Sequence, residues 1–287
     1  MNKARQASEY LSQVPTKTVS LGGFAVHYLD RGEGRPLILV HGGGMWLYSY
    51  RHNVGDLSRD FRVCALDMPG YGYTEPLGRI GPMGPETMSE TLLKFMDALG
   101  IRSAVLVGHS WGGGWALHFA ARHPSRVDGL VLIDSSGLNV RDVPEWELLK
   151  VPVLGPLLLR CVTPRVVAKR LERSYFLPGM VTPDLVREVL LPLRFGHNRR
   201  IQARISRDQD WRETEEALPG IRQPVFVIWG DRDRYLDAGL VSRFLQALPR
   251  AEAHILRNCG HSPHEEFPGE ANALIAAFAK KAVCGTR

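Results

Sequence analysis

The chain has 287 residues, 44% of them hydrophobic and 23% charged, with 36 Lys+Arg against 30 Asp+Glu and a formal net charge of +6. That length supports one large core, or one core carrying an insertion, and the composition excludes a disordered, collagen-like or coiled-coil chain. No apolar run nears the ~18 residues of a spanning helix, and residues 1–14 lack the apolar stretch of a secretory signal, so the expectation is a cytoplasmic monomer or homodimer with no membrane partner.

Read in chain order, short apolar runs alternate with helical stretches. Residues 24–29 read as a first strand. Residues 36–40, Pro-Leu-Ile-Leu-Val, form a continuous apolar run of the kind buried on both faces of a sheet, and 61–66 is another. Residues 86–99 place Met88, Leu92, Phe95, Met96 and Leu99 at three- and four-residue steps and stop at Gly100, which predicts a helix. A strand at 104–107, a helix at 111–122 and a strand at 127–133 follow. After Asp134 the alternation breaks: residues 135–218 read as Pro-punctuated helix without a strand. It resumes with strand 225–229, helix 238–248, strand 253–256 and helix 271–281. The pattern predicts a mostly parallel, eight-stranded α/β sheet with helices on both faces. Residues 1–134 and 219–287 form its core domain, and 135–218 form an inserted helical cap. The first ~15 residues are expected to be loosely attached.

The charge excess is local. Residues 160–212 hold 12 Lys/Arg against 5 Asp/Glu, an excess of seven. No basic run interleaved with aromatics occurs, so nucleic acid is not indicated. Solvated helix faces explain the charge; a cap that attracts anionic small-molecule substrates is the sharper reading. Cys64, Cys161, Cys259 and Cys284 are far apart and make no C-x-x-C, and the ten histidines show no metal-binding spacing. No cofactor or metal is expected.

Three loops carry the chemistry. Gly108-His109-Ser110-Trp111-Gly112 matches G-x-S-x-G between a predicted strand and a predicted helix. The turn that lifts the serine hydroxyl above the sheet edge leaves no room for neighbouring side chains, which accounts for the glycines. His41-Gly42-Gly43-Gly44 directly follows strand 36–40, where bare backbone can approach an oxyanion; Gly43 and Trp111 are expected to supply the two N–H donors. A serine needs a base and the base an orienting carboxylate. Gly260-His261-Ser262 supplies His261. Asp233, in Gly230-Asp231-Arg232-Asp233, is the chosen acid, with Asp231 assigned to capping the turn and Asp134 kept as a rival because it too ends a strand. His109 is expected to be a buried, hydrogen-bonded residue and His264 a helix-entry residue.

With the order Ser110, Asp233, His261, the chain resembles the α/β-hydrolase superfamily from about residue 19 to 281. Asp67-Met68-Pro69-Gly70-Tyr71-Gly72 resembles its D-x-x-G-x-G turn and Cys259–Glu266 its histidine loop. The resemblance implies a cap after the sixth strand, a covalent intermediate and hydrolysis, in the manner of capped esterases, lactonases, perhydrolases or carbon–carbon-bond hydrolases. Epoxide hydrolases and haloalkane dehalogenases carry an Asp where Ser110 stands. Meta-cleavage-product hydrolases usually carry Asn before the nucleophile and Trp after the histidine; this chain has His109 and Ser262. The leading expectation is therefore a carboxylic ester, lactone or thioester as substrate, followed by a vinylogous diketone cleaved at carbon–carbon, or a fold that binds without catalysis.

Overall fold

A computed structural model describes residues 8–141 and 143–284. Nine strands form one sheet: β1 (Lys17–Ser20), β2 (Phe24–Arg31), β3 (Pro36–Val40), β4 (Arg62–Leu66), β5 (Glu75–Pro76), β6 (Ala104–His109), β7 (Val127–Ile133), β8 (Val225–Gly230) and β9 (Ala251–Leu256). Eight of them run in the order β1-β2-β4-β3-β6-β7-β8-β9, and β5 adds a two-residue pairing beside β2. From β4 to β9 every pairing is parallel; β2 is antiparallel to β1, β4 and β5. The expected architecture is therefore present, with one short strand beyond the eight expected. β1 and β5 escape a reading by pattern because neither has the alternation of a half-buried strand: β1, Lys-Thr-Val-Ser, lies almost wholly exposed at the sheet edge.

The strand pattern sets the two cores. Along β3, Leu37 and Leu39 belong to one apolar cluster and Ile38 and Val40 to the other, the two-residue alternation of a strand covered on both faces. Helix Trp111–Arg122 covers the Ile38 and Val40 face with Trp115, Leu117 and Phe119, and helix Pro268–Cys284 covers the Leu37 and Leu39 face with Ile275 and Ala279.

Between β7 and β8 the described residues form helices and no strand: Pro144–Lys150, Leu154–Arg160, Pro164–Ser174, Pro183–Leu193, Gly196–Asp208 and Arg212–Ala217. Two of them begin on a Thr-Pro pair. The Thr163 and Thr182 hydroxyls accept from the N–H of Val166 and Leu185, and the prolines occupy the first turn, where no N–H is missed. Asn198 and Gln202 donate to the carbonyls of Gly72 and Gly70, holding this segment on the turn after β4.

The expected looseness of the first ~15 residues does not hold for residues 8–14. Helix Glu9–Gln13 is tied to the long helical segment: Ser8 Oγ and the Glu9 N–H both donate to the Glu188 carboxylate, at 2.7 and 2.9 Å. Tyr10 packs edge-on against Tyr48 and Trp46. Glu188 is buried, and the pairing satisfies a carboxylate that burial would otherwise leave without donors. Residues 1–7 lie outside the described residues. Cys64, Cys161 and Cys259 are free thiols; the expectation for Cys284 lies outside the described side chains.

Candidate active site

Parallel strands deliver their C-terminal ends to one edge, and α/β sheets place their sites there. β3 leads into Gly42–Gly44, β6 into Ser110, β7 into Asp134 and β8 into the loop with Asp233.

Ser110 adopts φ 51°, ψ −122°, a left-handed backbone that few non-glycine residues take. Its neighbours make this possible. A Cβ on Gly108 would lie 2.5 Å from the Gly112 carbonyl oxygen, and one on Gly112 would lie 2.5 Å from that of His41. Both glycines are therefore required by space. The turn is fixed by the Ser110 N–H donating to Ile133 and by the Gly113 and Ser136 N–H groups donating to the Ser110 carbonyl.

His41 is buried and anchors the glycine loop: its Nδ1–H donates to the Gly42 carbonyl and its Nε2 accepts from the Met68 N–H at 3.0 Å. Burial holds its pKa below the usual histidine range. Among the described residues, the N–H groups of Gly43 and Trp111 take no hydrogen-bond acceptor, which leaves two backbone donors beside Ser110.

The Asp233 carboxylate divides its work between two oxygens. Oδ2 lies 2.7 Å from His261 Nδ1, and Oδ1 accepts from the N–H groups of Tyr235 and Leu236 at 2.7 and 3.0 Å. Both side chains are almost wholly buried. An ionised acid here requires the proton on His261 Nδ1, which leaves Nε2 as a base. Asp134 also ends its strand facing this cluster, and one of its oxygens lies within 4.8 Å of ring nitrogens of His109 and His261. Its Oδ1 instead accepts from the Gly230 N–H, and its buried Oδ2 takes no hydrogen bond. Burial, reinforced by the charge of Asp233, pushes its carboxyl well above the ordinary range. Burial thus biases Asp134 towards the neutral acid, while Asp233 holds the histidine. Asp231 is further out and accepts from the Cys259 N–H at 3.4 Å, so the tight capping of the turn belongs to Asp233 itself.

His109 is buried, as its sequence position implied, and donates from Nε2 to the His261 carbonyl at 2.7 Å; the residue before the serine thus sets the backbone of the histidine. Burial drives its pKa well below the usual value. His264 packs at a tilt against the rings of His109 and Tyr50, with its pKa lowered to about 3 by burial and then by the nearby Arg51 cation. These imidazoles are held neutral.

Several side chains that matter here were not singled out in the sequence. Helix Pro164–Ser174 touches three loops at once. Arg170 Nη2 donates to the Gly44 carbonyl at 2.9 Å, and the Tyr235 hydroxyl donates to the Arg170 carbonyl. Arg173 donates twice to the Arg234 carbonyl. The Ser174 carbonyl accepts from the His261 N–H at 2.6 Å. Glu266 completes the join: one oxygen accepts from the Gly260 N–H and the other from the N–H groups of Phe176 and Leu177, at 2.7, 2.8 and 2.8 Å. None of these pairs is closer than 61 residues in sequence except Glu266 with Gly260, so no local motif announces them.

A narrow cleft of about 600 Å³, its mouth included, opens over the serine. Gly43, Ser110, Trp111 and His261 meet at its floor, and Trp146, Arg170 and Tyr235 stand in its walls. Arg170 is its cationic side chain; the Glu265 carboxylate is paired with Arg51 and accepts from the Tyr175 hydroxyl.

Residues 35–155 match the family model described as the alpha/beta hydrolase fold. A Paraburkholderia phymatum protein named 2-hydroxy-6-oxononadienedioate/2-hydroxy-6-oxononatrienedioate hydrolase is 31% identical over 268 residues, covering 88% of this chain and 90% of that protein. A meta-cleavage product hydrolase from Pseudomonas fluorescens is similar in structure, with a TM-score of 0.77 at 25% identity over 93% of this chain and 98% of that one. A membrane phospholipase A is similar with a TM-score of 0.79 at 29% identity, over 98% of this chain and 90% of that one.

Proposed function

The chain belongs to the α/β-hydrolase fold family, and on that premise we propose that it is a serine hydrolase cleaving a small to medium carboxylic ester, lactone or thioester through an acyl-enzyme. The observation that carries this reading is the 2.7 Å pairing of His261 with Asp233 in a cleft that His261 lines together with Ser110, the serine held on a left-handed turn. Ser110 Oγ attacks the carbonyl carbon and His261 Nε2 takes its proton. Asp233 keeps the other ring proton on Nδ1 and stabilises the imidazolium. The oxyanion rests on the Gly43 and Trp111 N–H groups, preorganised at a cost already met in folding. His261 then protonates the leaving group, and water, activated by the same base, releases the acid. Residues 135–218 act as the cap, which shapes the cleft through Trp146, Arg170 and Leu171.

The similarity to a phospholipase is consistent with ester cleavage. A second reading, hydrolysis of a carbon–carbon bond in a vinylogous diketone, is favoured by the names of the Paraburkholderia and Pseudomonas relatives. Both use the same serine and base. A panel of nitrophenyl esters, lactones and a coloured vinylogous diketone, each assayed with wild type and Ser110→Ala, tests the proposal. Ester or lactone turnover that falls by several decades in Ser110→Ala is expected. Turnover within about tenfold of wild type in that variant refutes the serine, and activity on the diketone alone selects the second reading.

A further inference from the structure

The helical segment carries a face that this chemistry does not use. Helices Pro144–Lys150 and Leu154–Arg160, with the turn joining them, leave Leu148, Val151, Val153, Leu157 and Leu158 exposed, Val153 at 81% and Leu157 at 53%. Val153 also holds φ +69°, a backbone costly for a β-branched residue, and in the free molecule its side chain gains no burial in return. Val153, Pro156 and Leu157 border a groove completed by Arg160, Arg199 and Arg200. Among the described residues none of these guanidinium groups pairs with a carboxylate; Arg199 donates to the Leu193 carbonyl. The acidic side chains of the first helix are already engaged, Glu147 with Lys150 and Glu145 with Arg173.

We propose that this face docks on an anionic lipid bilayer. Apolar side chains that stand out of a helix pair, edged by arginines without counter-charges, fit a surface whose hydrocarbon lies beneath negatively charged headgroups. Val153, Leu157 and Leu158 enter the acyl boundary, and Arg160, Arg199 and Arg200 meet phosphate oxygens. A second copy of the chain fits less well, because a two-fold contact through this face brings two sets of unpaired arginines into one interface. A neutral apolar partner would desolvate the same charges without return. The absence of a spanning run, on which the expectation of no membrane partner rested, does not bear on a peripheral contact. Helix Pro144–Lys150 supplies Leu148 to the exposed face and Trp146 to the cleft wall, so a docked bilayer lies beside the cleft and apolar substrates can be drawn from it. The docking holds whichever bond the serine cleaves.

Co-sedimentation of the full chain with vesicles tests this directly. Partitioning onto phosphatidylcholine vesicles containing about 30% phosphatidylglycerol should exceed that onto phosphatidylcholine alone by at least about tenfold, and should collapse towards 1 M salt, where the Debye length falls to about 3 Å. The double variant Val153→Asp/Leu157→Asp should lose about tenfold or more of the binding while keeping its melting temperature and its turnover of a soluble ester. Arg160→Gln/Arg200→Gln should reduce binding to the level of neutral vesicles. A folded wild-type chain that sediments with neither vesicle, or equally with both, overturns the proposal. So does a dimer in solution that Val153→Asp/Leu157→Asp dissociates without any vesicle binding, which would assign the face to a second copy.

Discussion

Asp233→Asn separates the two acids of the site. Asp233 Oδ1 accepts from two backbone N–H groups, at 2.7 and 3.0 Å, on the adjacent turn. In the amide only the carbonyl oxygen can accept from them, so the side chain is locked with its oxygen at Oδ1 and its NH₂ at Oδ2, 2.7 Å from His261 Nδ1. That ring nitrogen must then be an acceptor, and the imidazole proton moves to Nε2, where the serine proton was to be received. The fold is undisturbed, but the dominant tautomer cannot act as base. An equivalent change in a serine protease costs ~10⁴ in kcat, or about 5 kcal/mol of transition-state stabilisation, and a loss of that order is expected here. Asp134→Asn makes the contrasting case. Burial favours the neutral form of Asp134 and its Oδ2 takes no hydrogen bond, so the amide, which also carries no charge, changes little beyond one oxygen, and kcat should stay within about tenfold. Steady-state kinetics on one nitrophenyl ester, with circular dichroism to verify folding, decides between them. Should Asp233→Asn keep kcat within tenfold of wild type, or Asp134→Asn prove the more damaging, the tautomer argument fails.

Two other perturbations follow from the same contacts. His264 has a folded pKa of about 3 against about 6.5 for a free imidazole, so its contribution to stability is complete above about pH 6.5 and is lost as the pH falls towards 3, because the unfolded chain binds a proton that the folded one refuses. His264→Phe, which keeps the ring contacts with Tyr50 and His109, should flatten the pH dependence of urea-unfolding free energy between pH 6 and 4 by up to ~1.4 kcal/mol per pH unit; an unchanged slope would place the acid sensitivity elsewhere. Arg170 is the cleft's cationic side chain within the basic helical segment. An ester carrying a carboxylate should therefore show a kcat/KM advantage over its neutral isostere of about tenfold, shrinking as salt rises; Arg170→Met, which also frees the Gly44 carbonyl, should lower kcat/KM for both esters but abolish the difference between them. Equal values for both esters in wild type would show that the basic residues only solvate the outer helices.

What the sequence determined by itself is what local rules fix. An apolar run such as Pro36–Val40 must be covered on both faces, and the spacing of Gly108, Ser110 and Gly112 between a strand and a helix leaves one compact way to turn. The sheet, its order of motifs and the choice of Ser110, Asp233 and His261 as candidates were legible for that reason. The tertiary structure alone decided how the distant parts meet. Asp134 and Asp233 both end strands and look alike in sequence; they differ because one faces two backbone donors and an imidazole while the other is buried with a single donor. The joining of helix Pro164–Ser174 to the loops of Gly44, Tyr235 and His261 depends on backbone carbonyls, which carry no residue identity and leave no motif. The exposure of Val153 and Leu157 was equally hidden, because an apolar residue in a helical stretch reads as core until the packing shows that nothing among the described residues covers it.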